Sequence, residues 1–179
     1  MTDIGYVAPA TLEEAIGAFA AAGSAGRILA GGTDLLVQMR SGTVKPGLIV
    51  DIKKIAEMTE IAETADGGFR IGAAVPGAVL AEHPRFREAW PGVLEAVNLI
   101  GSKQVQGRAS AGGNLCNASP AGDSVPALIA AGAVVTVQGP KGRREMKVED
   151  VPAGPGRTNL KPGEILVSFA LPPRPAGSS

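Results

Sequence analysis

The chain has 179 residues, 45% of them hydrophobic, with 17 basic and 17 acidic side chains. That length supports one domain or two small lobes around a real core, and the neutral balance excludes an electrostatic footprint for nucleic acid or a membrane surface. A single cysteine, Cys116, excludes an internal disulfide and any C-x-x-C site for zinc or an iron–sulfur cluster, and the single histidine, His83, leaves a Ser-His-Asp triad without context.

The start, "MTDIGY", is acidic rather than basic, so no secretory signal is predicted. The first element is a helix in "ATLEEAIGAFAAAG": Thr11 with Glu14 forms a capping box, Ile16, Phe19 and Ala20 recur at helical spacing, and Gly23 stops the run. "RILA" is a short apolar strand entering a first Gly-Gly loop. Thr33 is then placed to cap a short helix, "DLLVQMRSG", ending at Gly42, and "GLIVDI" is a second buried strand. A polar, acidic stretch near 56–67 reads as a boundary between a first lobe, 1–55, and a second, 56–172.

In the second lobe "GGFRIGAAV" reads as a strand, and "PGAVLAEHPRFREAW" and "PGVLEAVNLIG" as two helices opened by Pro-Gly. His83, at a helix end, reads as a surface or capping residue. "SKQVQGRAS" is polar and irregular and leads to a second Gly-Gly loop, "SAGGN". A helix opens at Asp123 or Ser124, and "AVVTVQGPKGRREMKV" is a hairpin with turn signals at Gly139-Pro140 and Gly142. The basic cluster Lys141–Glu145 reads as its solvated tip. Val125–Val137, the longest weakly polar run, holds Pro126 and Gly132 and is too short to span a bilayer, so a cytoplasmic location is predicted. "GEILVSFALP" is a last strand, and 173–179 has linker composition. The fold class predicted is α+β in two lobes.

The chemistry lies in the two glycine segments. A pyrophosphate needs several donors at close range, and glycine backbones supply them where the absence of a Cβ permits φ > 0. A following helix adds positive potential at its N-terminus. In "AGGTDLL", Ala30, Gly31 and Gly32 form the open backbone and Thr33 adds a hydroxyl; in "SAGGN", Ser110 and Asn114 flank Gly112 and Gly113. Asp123 can accept from a ribose hydroxyl. Neither segment is G-x-G-x-x-G or G-x-x-x-x-G-K-[ST], which argues against a Rossmann fold and a P-loop. No paired carboxylates stand at a persuasive spacing, and Cys116 reads as a small buried apolar residue that closely follows the second loop.

Together and in this order, "RILAGGTDLLVQMRSG" and "QVQGRASAGGNLCNASPAGDSVPALIAAGAVV" resemble the FAD-binding medium subunit of the molybdenum hydroxylases, the carbon monoxide dehydrogenase and xanthine dehydrogenase family. "YVAPATLEEAI", "LIVDI", "IGAAV" and "LKPGEILVSFALP" extend the likeness over nearly the whole chain. The resemblance implies a two-lobed FAD-binding fold of the vanillyl-alcohol-oxidase/PCMH type. It implies Ala30, Gly31, Gly32, Thr33, Asp34 and Leu35 along the FAD pyrophosphate, Ser110, Gly112, Gly113 and Asn114 on the phosphate and ribitol side, Asp123 on the cofactor, and Leu166 and Ile100 near the flavin ring. It further implies partners: a large subunit with a molybdenum–pterin that oxidises the substrate, and a small subunit with two [2Fe–2S] clusters. The flavin part passes electrons to NAD, a quinone or oxygen. The "LPPRPAGSS" tail stands where the family continues into a further small domain that adds a lysine near the isoalloxazine, so the chain is expected to lack that domain. Two other readings are a cofactor-poor assembly module and a stand-alone FAD oxidase; the second predicts a cap domain and a His or Cys link to the flavin.

Overall fold

The computed structural model describes residues 4–175 and 177. Met1–Asp3 of the acidic start, and Ala176, Ser178 and Ser179 of the linker-like tail, lie outside the described residues.

The first helix, α1 (Leu12–Ala22), forms where its signals place it. Thr11 Oγ1 accepts from Glu14 N at 3.3 Å, and Glu14 Oε2 accepts from Ala10 N at 3.2 Å, one residue ahead of the usual capping-box donor. Leu12, Ala15 and Ile16 are its buried face. That face packs on a parallel three-stranded sheet: β1 (Gly5–Val7), β2 (Gly26–Leu29) and β3 (Leu48–Asp51), in the order β1-β3-β2. β1 has no counterpart in the sequence reading. Its three residues are all exposed, so burial leaves no pattern to read. After β2 the chain turns into α2 (Leu35–Arg40).

The stretch read as a boundary is structured. It holds α3 (Ala56–Thr59) and β4 (Ile61–Glu63), and β4 pairs antiparallel with β5 (Phe69–Gly72). Next come α4 (Gly77–Glu82) and α5 (Pro84–Ala89), where one helix was predicted. Pro84 pushes His83 out of the helical region, to φ −79 and ψ 107. His83 then serves as a cap, as predicted, with Nδ1 accepting from Phe86 N at 3.2 Å. α6 (Pro91–Val97) follows. The "irregular" segment contains α7 (Lys103–Gln106), opened by Ser102, whose Oγ accepts from Val105 N. The second glycine segment is likewise no loop but the first turn of α8 (Ala111–Asn117), and α9 (Ser124–Ala130) follows it.

The hairpin forms from β6 (Val134–Gly139) and β7 (Gly142–Lys147). Its basic cluster is only partly a solvated tip. Arg144 makes a two-pronged bond to Glu164, both contacts at 2.8 Å, and Arg143 reaches Glu57. A small pair, β8 (Pro152–Gly154) and β9 (Arg157–Thr158), precedes β10 (Ile165–Leu171). β10 enters the middle of an antiparallel sheet ordered β4-β5-β10-β6-β7. Flanked on both sides, it is the most buried strand, with Val167 and Phe169 inaccessible. One core cluster runs from Val50 under the first sheet to Phe169 and Leu128. A short parallel sheet beside an antiparallel one is an α+β arrangement, not a doubly wound Rossmann sheet.

Candidate functional site

Between the first sheet and α8 lies a cleft of about 600 Å³, within the range of small-molecule sites. Ala30, Gly31, Gly32, Thr33, Asp34 and Leu35 line one part of it, and Ser110, Gly112, Gly113 and Asn114 another. Leu166 and Ile100 line it too. Asp123 does not: it is exposed, just ahead of α9, and makes no capping bond there.

The two glycine segments reach one cleft because they touch. A Cβ on Gly31 would lie 2.1 Å from the Arg108 carbonyl oxygen, so the first segment rests on the backbone just ahead of the second. A Cβ on Gly112 would lie 2.3 Å from the Ala73 carbonyl oxygen, which seats α8 against the chain leaving β5. A side-chain tie joins them further along: Gln38 Nε2 on α2 donates to Asn117 Oδ1 on α8 at 3.0 Å. Both residues line the cleft, and neither was singled out in the sequence. A Gln and an Asn 79 positions apart carry no local signal.

Thr33 does not cap α2, contrary to expectation. The capping position is Asp34, in helical geometry, and its side chain makes no cap bond. The consequence is chemical. The N–H groups of Gly31, Gly32, Thr33, Asp34 and Leu35 donate to no acceptor among the described residues. Gly32, at φ +80, turns the chain between them. Unpaired N–H groups in succession at a turn form an anion-binding concavity. α2 has six residues and α8 seven, so these local donors, rather than a long helix dipole, supply the positive potential.

At the second segment the donors are mostly spent. Ser110 Oγ accepts from Gly113 N at 3.1 Å and caps α8. Asn114 keeps a side chain on the cleft wall, with Oδ1 accepting from Ser124 N and Oγ.

Charge on the wall is sparse. Arg27 is the one cationic residue lining it among the described residues, and its Nη1 donates to the Ser24 and Gly26 carbonyls. Glu164 also lines the cleft. The Arg144 guanidinium holds its carboxyl below the usual glutamate value, burial opposes this, and Lys161 N adds a bond at 2.6 Å. That carboxylate is fully engaged and is no free acid or base. Cys116 lines the cleft with an accessible side chain, where a buried one was expected, yet the groups packed around it desolvate its thiol and push its pKa up to about 12. It stands at the sixth position of α8, while the neighbouring Leu115 takes the fully buried face.

Ile100 sits on the turn after α6, braced where Gln106 Nε2 donates to the Asn98 carbonyl at 2.5 Å. Leu166 reaches the cleft at an irregularity in β10, where the pairing with β6 slips between Leu166 and Ser168. Such bulges re-aim side chains. Among the described residues no three His, Cys, Asp or Glu side chains group to hold a metal ion, and no helix is long and apolar enough to cross a membrane.

Known proteins share this arrangement. The chain is 35% identical over 170 residues to the xanthine dehydrogenase FAD-binding subunit of Escherichia coli O157:H7, covering 95% of this chain and 58% of that protein. It is 33% identical to the nicotinate dehydrogenase FAD-subunit of Eubacterium barkeri, covering 96% of this chain and 59% of that one. In structure it matches carbon monoxide dehydrogenase from Hydrogenophaga pseudoflava at a TM-score of 0.93 and 31% identity, over 97% of this chain and 60% of the other. The match to the enzyme from Oligotropha carboxidovorans has a TM-score of 0.92 at 27% identity, over 98% of this chain and 61% of the other. The chain thus spans about three fifths of the length of these relatives. The family described as the FAD binding domain in molybdopterin dehydrogenase matches residues 2–174, and the chain belongs to it.

Proposed function

We propose that this chain is the flavin-bearing electron-transfer part of a molybdenum-containing hydroxylase or dehydrogenase. The observation that carries the reading is the run of five unpaired N–H groups, Gly31 to Leu35, on a cleft that also receives the second glycine segment. A pyrophosphate fits such a run, and a Cβ at Gly31 would fill the close approach behind it. Bound FAD would supply the redox chemistry, and the protein binds and orients it. In this reading the Gly31–Leu35 backbone and the Thr33 hydroxyl hold the pyrophosphate. Gly112, Gly113 and Asn114 line the phosphate and ribitol side, Asp123 takes a ribose hydroxyl from the rim, and Leu166 and Ile100 present apolar surface to the flavin ring.

Electrons enter from the [2Fe–2S] clusters of a small partner subunit and leave to an external acceptor such as NAD, a quinone or oxygen. A large subunit with the molybdenum cofactor oxidises the substrate. Relatives named for xanthine, nicotinate and carbon monoxide share this part, so we assign substrate choice to that large subunit and no hydroxylation site to this chain. The division into lobes 1–55 and 56–172, and a cytoplasmic location, belong to the same proposal. The test is to incubate the purified chain with FAD and follow flavin absorbance through size exclusion. Flavin bands co-eluting with the protein at a one-to-one ratio are expected; protein emerging free of flavin would overturn the reading.

A further inference from the structure

Asn114 lies in the first turns of α8 and lines the cleft. Its Oδ1 accepts from Ser124 N at 3.3 Å and from Ser124 Oγ at 2.8 Å. A backbone N–H is a donor and nothing else. The carboxamide atom facing Ser124 is therefore the oxygen, and a flipped amide would set two donors against each other. The Nδ2 group points away. It finds no acceptor among the described residues, yet it is not among the buried polar atoms left without a partner. It opens onto solvent-filled space, at a residue that lines the cleft.

Ser124 is placed to hold this arrangement and does nothing else in the site. It is wholly inaccessible to solvent, stands at the first position of α9 and is not part of the cleft wall. Its N–H is a first-turn donor with no partner inside its own helix. Gly122 leaves room on the same side, since a Cβ there would come within 3.4 Å of Asn114 Oδ1.

We infer that Ser124 is a positioning residue that fixes the polarity of the Asn114 carboxamide, so that the cleft meets two N–H donors at this point and no carbonyl oxygen. The ligand group selected is an oxygen acceptor, an anionic phosphoryl oxygen above all. This rests on the flavin reading above and deepens it: the second segment has spent its Gly113 N–H on its own cap and contributes a side-chain donor instead.

Two substitutions test it, read by FAD titration and by thermal denaturation of the apoprotein. Asn114→Asp keeps an oxygen toward both Ser124 donors and turns a second, negative oxygen to the cleft. Its melting temperature should equal or exceed that of the wild type, while FAD affinity at pH 8 falls on the order of a hundredfold. Affinity should recover as the pH drops toward about 5, because an anionic ligand favours the protonated acid, which donates. Ser124→Ala removes the hydroxyl bond but keeps the Ser124 N–H that sets the polarity, so the carboxamide is held more loosely and FAD should weaken only about fivefold. Should Ser124→Ala not fold, Asn114→Asp decides alone. An Asn114→Asp protein that is as stable as the wild type and binds FAD as tightly at pH 8 overturns the inference. A wild type that binds no FAD overturns the flavin reading, and this inference with it.

Discussion

In the first glycine segment the backbone stays open. Gly32 adopts φ +80, no side chain caps α2, and five N–H groups in succession keep no partner among the described residues. In the second, the backbone closes into α8, Ser110 takes the Gly113 N–H, and what remains for a ligand is the Gly112 N–H and the Asn114 side chain. Both segments keep one glycine for the same reason, since Gly31 and Gly112 each press against a backbone carbonyl. They differ in the other. Gly32 is needed for its conformation, whereas Gly113 is a helical residue with 3.4 Å of room to its nearest neighbour. Two Gly-Gly pairs of like composition thus reach one cleft by different physics.

Alanine at each glycine separates these roles. Gly31→Ala and Gly112→Ala should be the most damaging, because a new Cβ at 2.1 or 2.3 Å from a carbonyl oxygen meets backbone that cannot swing aside. Each should cost about 3 kcal/mol, read from urea midpoints at unchanged slope. Wild-type midpoints for either would mean that the segments do not touch as described. Gly32→Ala should cost about 1–2 kcal/mol for its left-handed backbone and weaken FAD as well. Gly113→Ala should do the opposite to the fold, raising apoprotein stability by about 0.5 kcal/mol through helix propensity. Its new methyl still narrows the cleft, so FAD binding should weaken. Loss of stability at Gly113 would erase the distinction between the segments.

How much of this the sequence carried follows the same line. α1, the hairpin and β10 were legible because capping residues, turn glycines and apolar runs agree there. α8 was not, because two adjacent glycines disfavour a helix by about 2 kcal/mol relative to alanine. The burial of Leu115 to zero exposure and the Ser110 cap offset that cost, and neither is visible from composition. α7 and β4 were hidden for a similar reason, being four and three residues long in polar surroundings. At the site, every glycine-segment residue singled out does line the cleft, while Asp123 stands outside its wall. What local pattern could not show is what crosses between distant segments: the Gln38–Asn117 tie, the Ser124 donors on Asn114, and Arg144 on Glu164.

The tie between segments gives a smaller effect. Gln38→Ala removes the Nε2 donor to Asn117 and should cost about 1 kcal/mol, measured by thermal denaturation. Because it joins α2 to α8, it should also loosen FAD without touching the Gly31–Leu35 donors. Unchanged affinity would mean that the backbone contact at Arg108 alone sets the spacing of the two segments.

Acid should distinguish them most gently. Asp51, at the end of β3, pairs in register with Leu29, where the first segment begins. Burial by itself raises its carboxyl. Lys53 Nζ at 2.7 Å, the Tyr6 hydroxyl at 2.7 Å and Lys53 N at 3.0 Å outweigh that and hold it below the ordinary aspartate value. A depressed carboxyl contributes stability that is fully present above the unfolded value, near 3.9, and is lost as pH falls through the folded value. The second segment is held through Ser110, Asn114 and Ser124, none of which titrates in acid. Below about pH 4, amide protection in β2, which pairs with β3 up to Leu29 and Asp51, should therefore fall before protection at Leu115 and Cys116. Asp51→Asn should abolish that difference by removing the titrating group. If both segments loosen together in the wild type, the contacts at Gly31 and Gln38 couple them into one unit, and their difference is confined to how each meets its ligand.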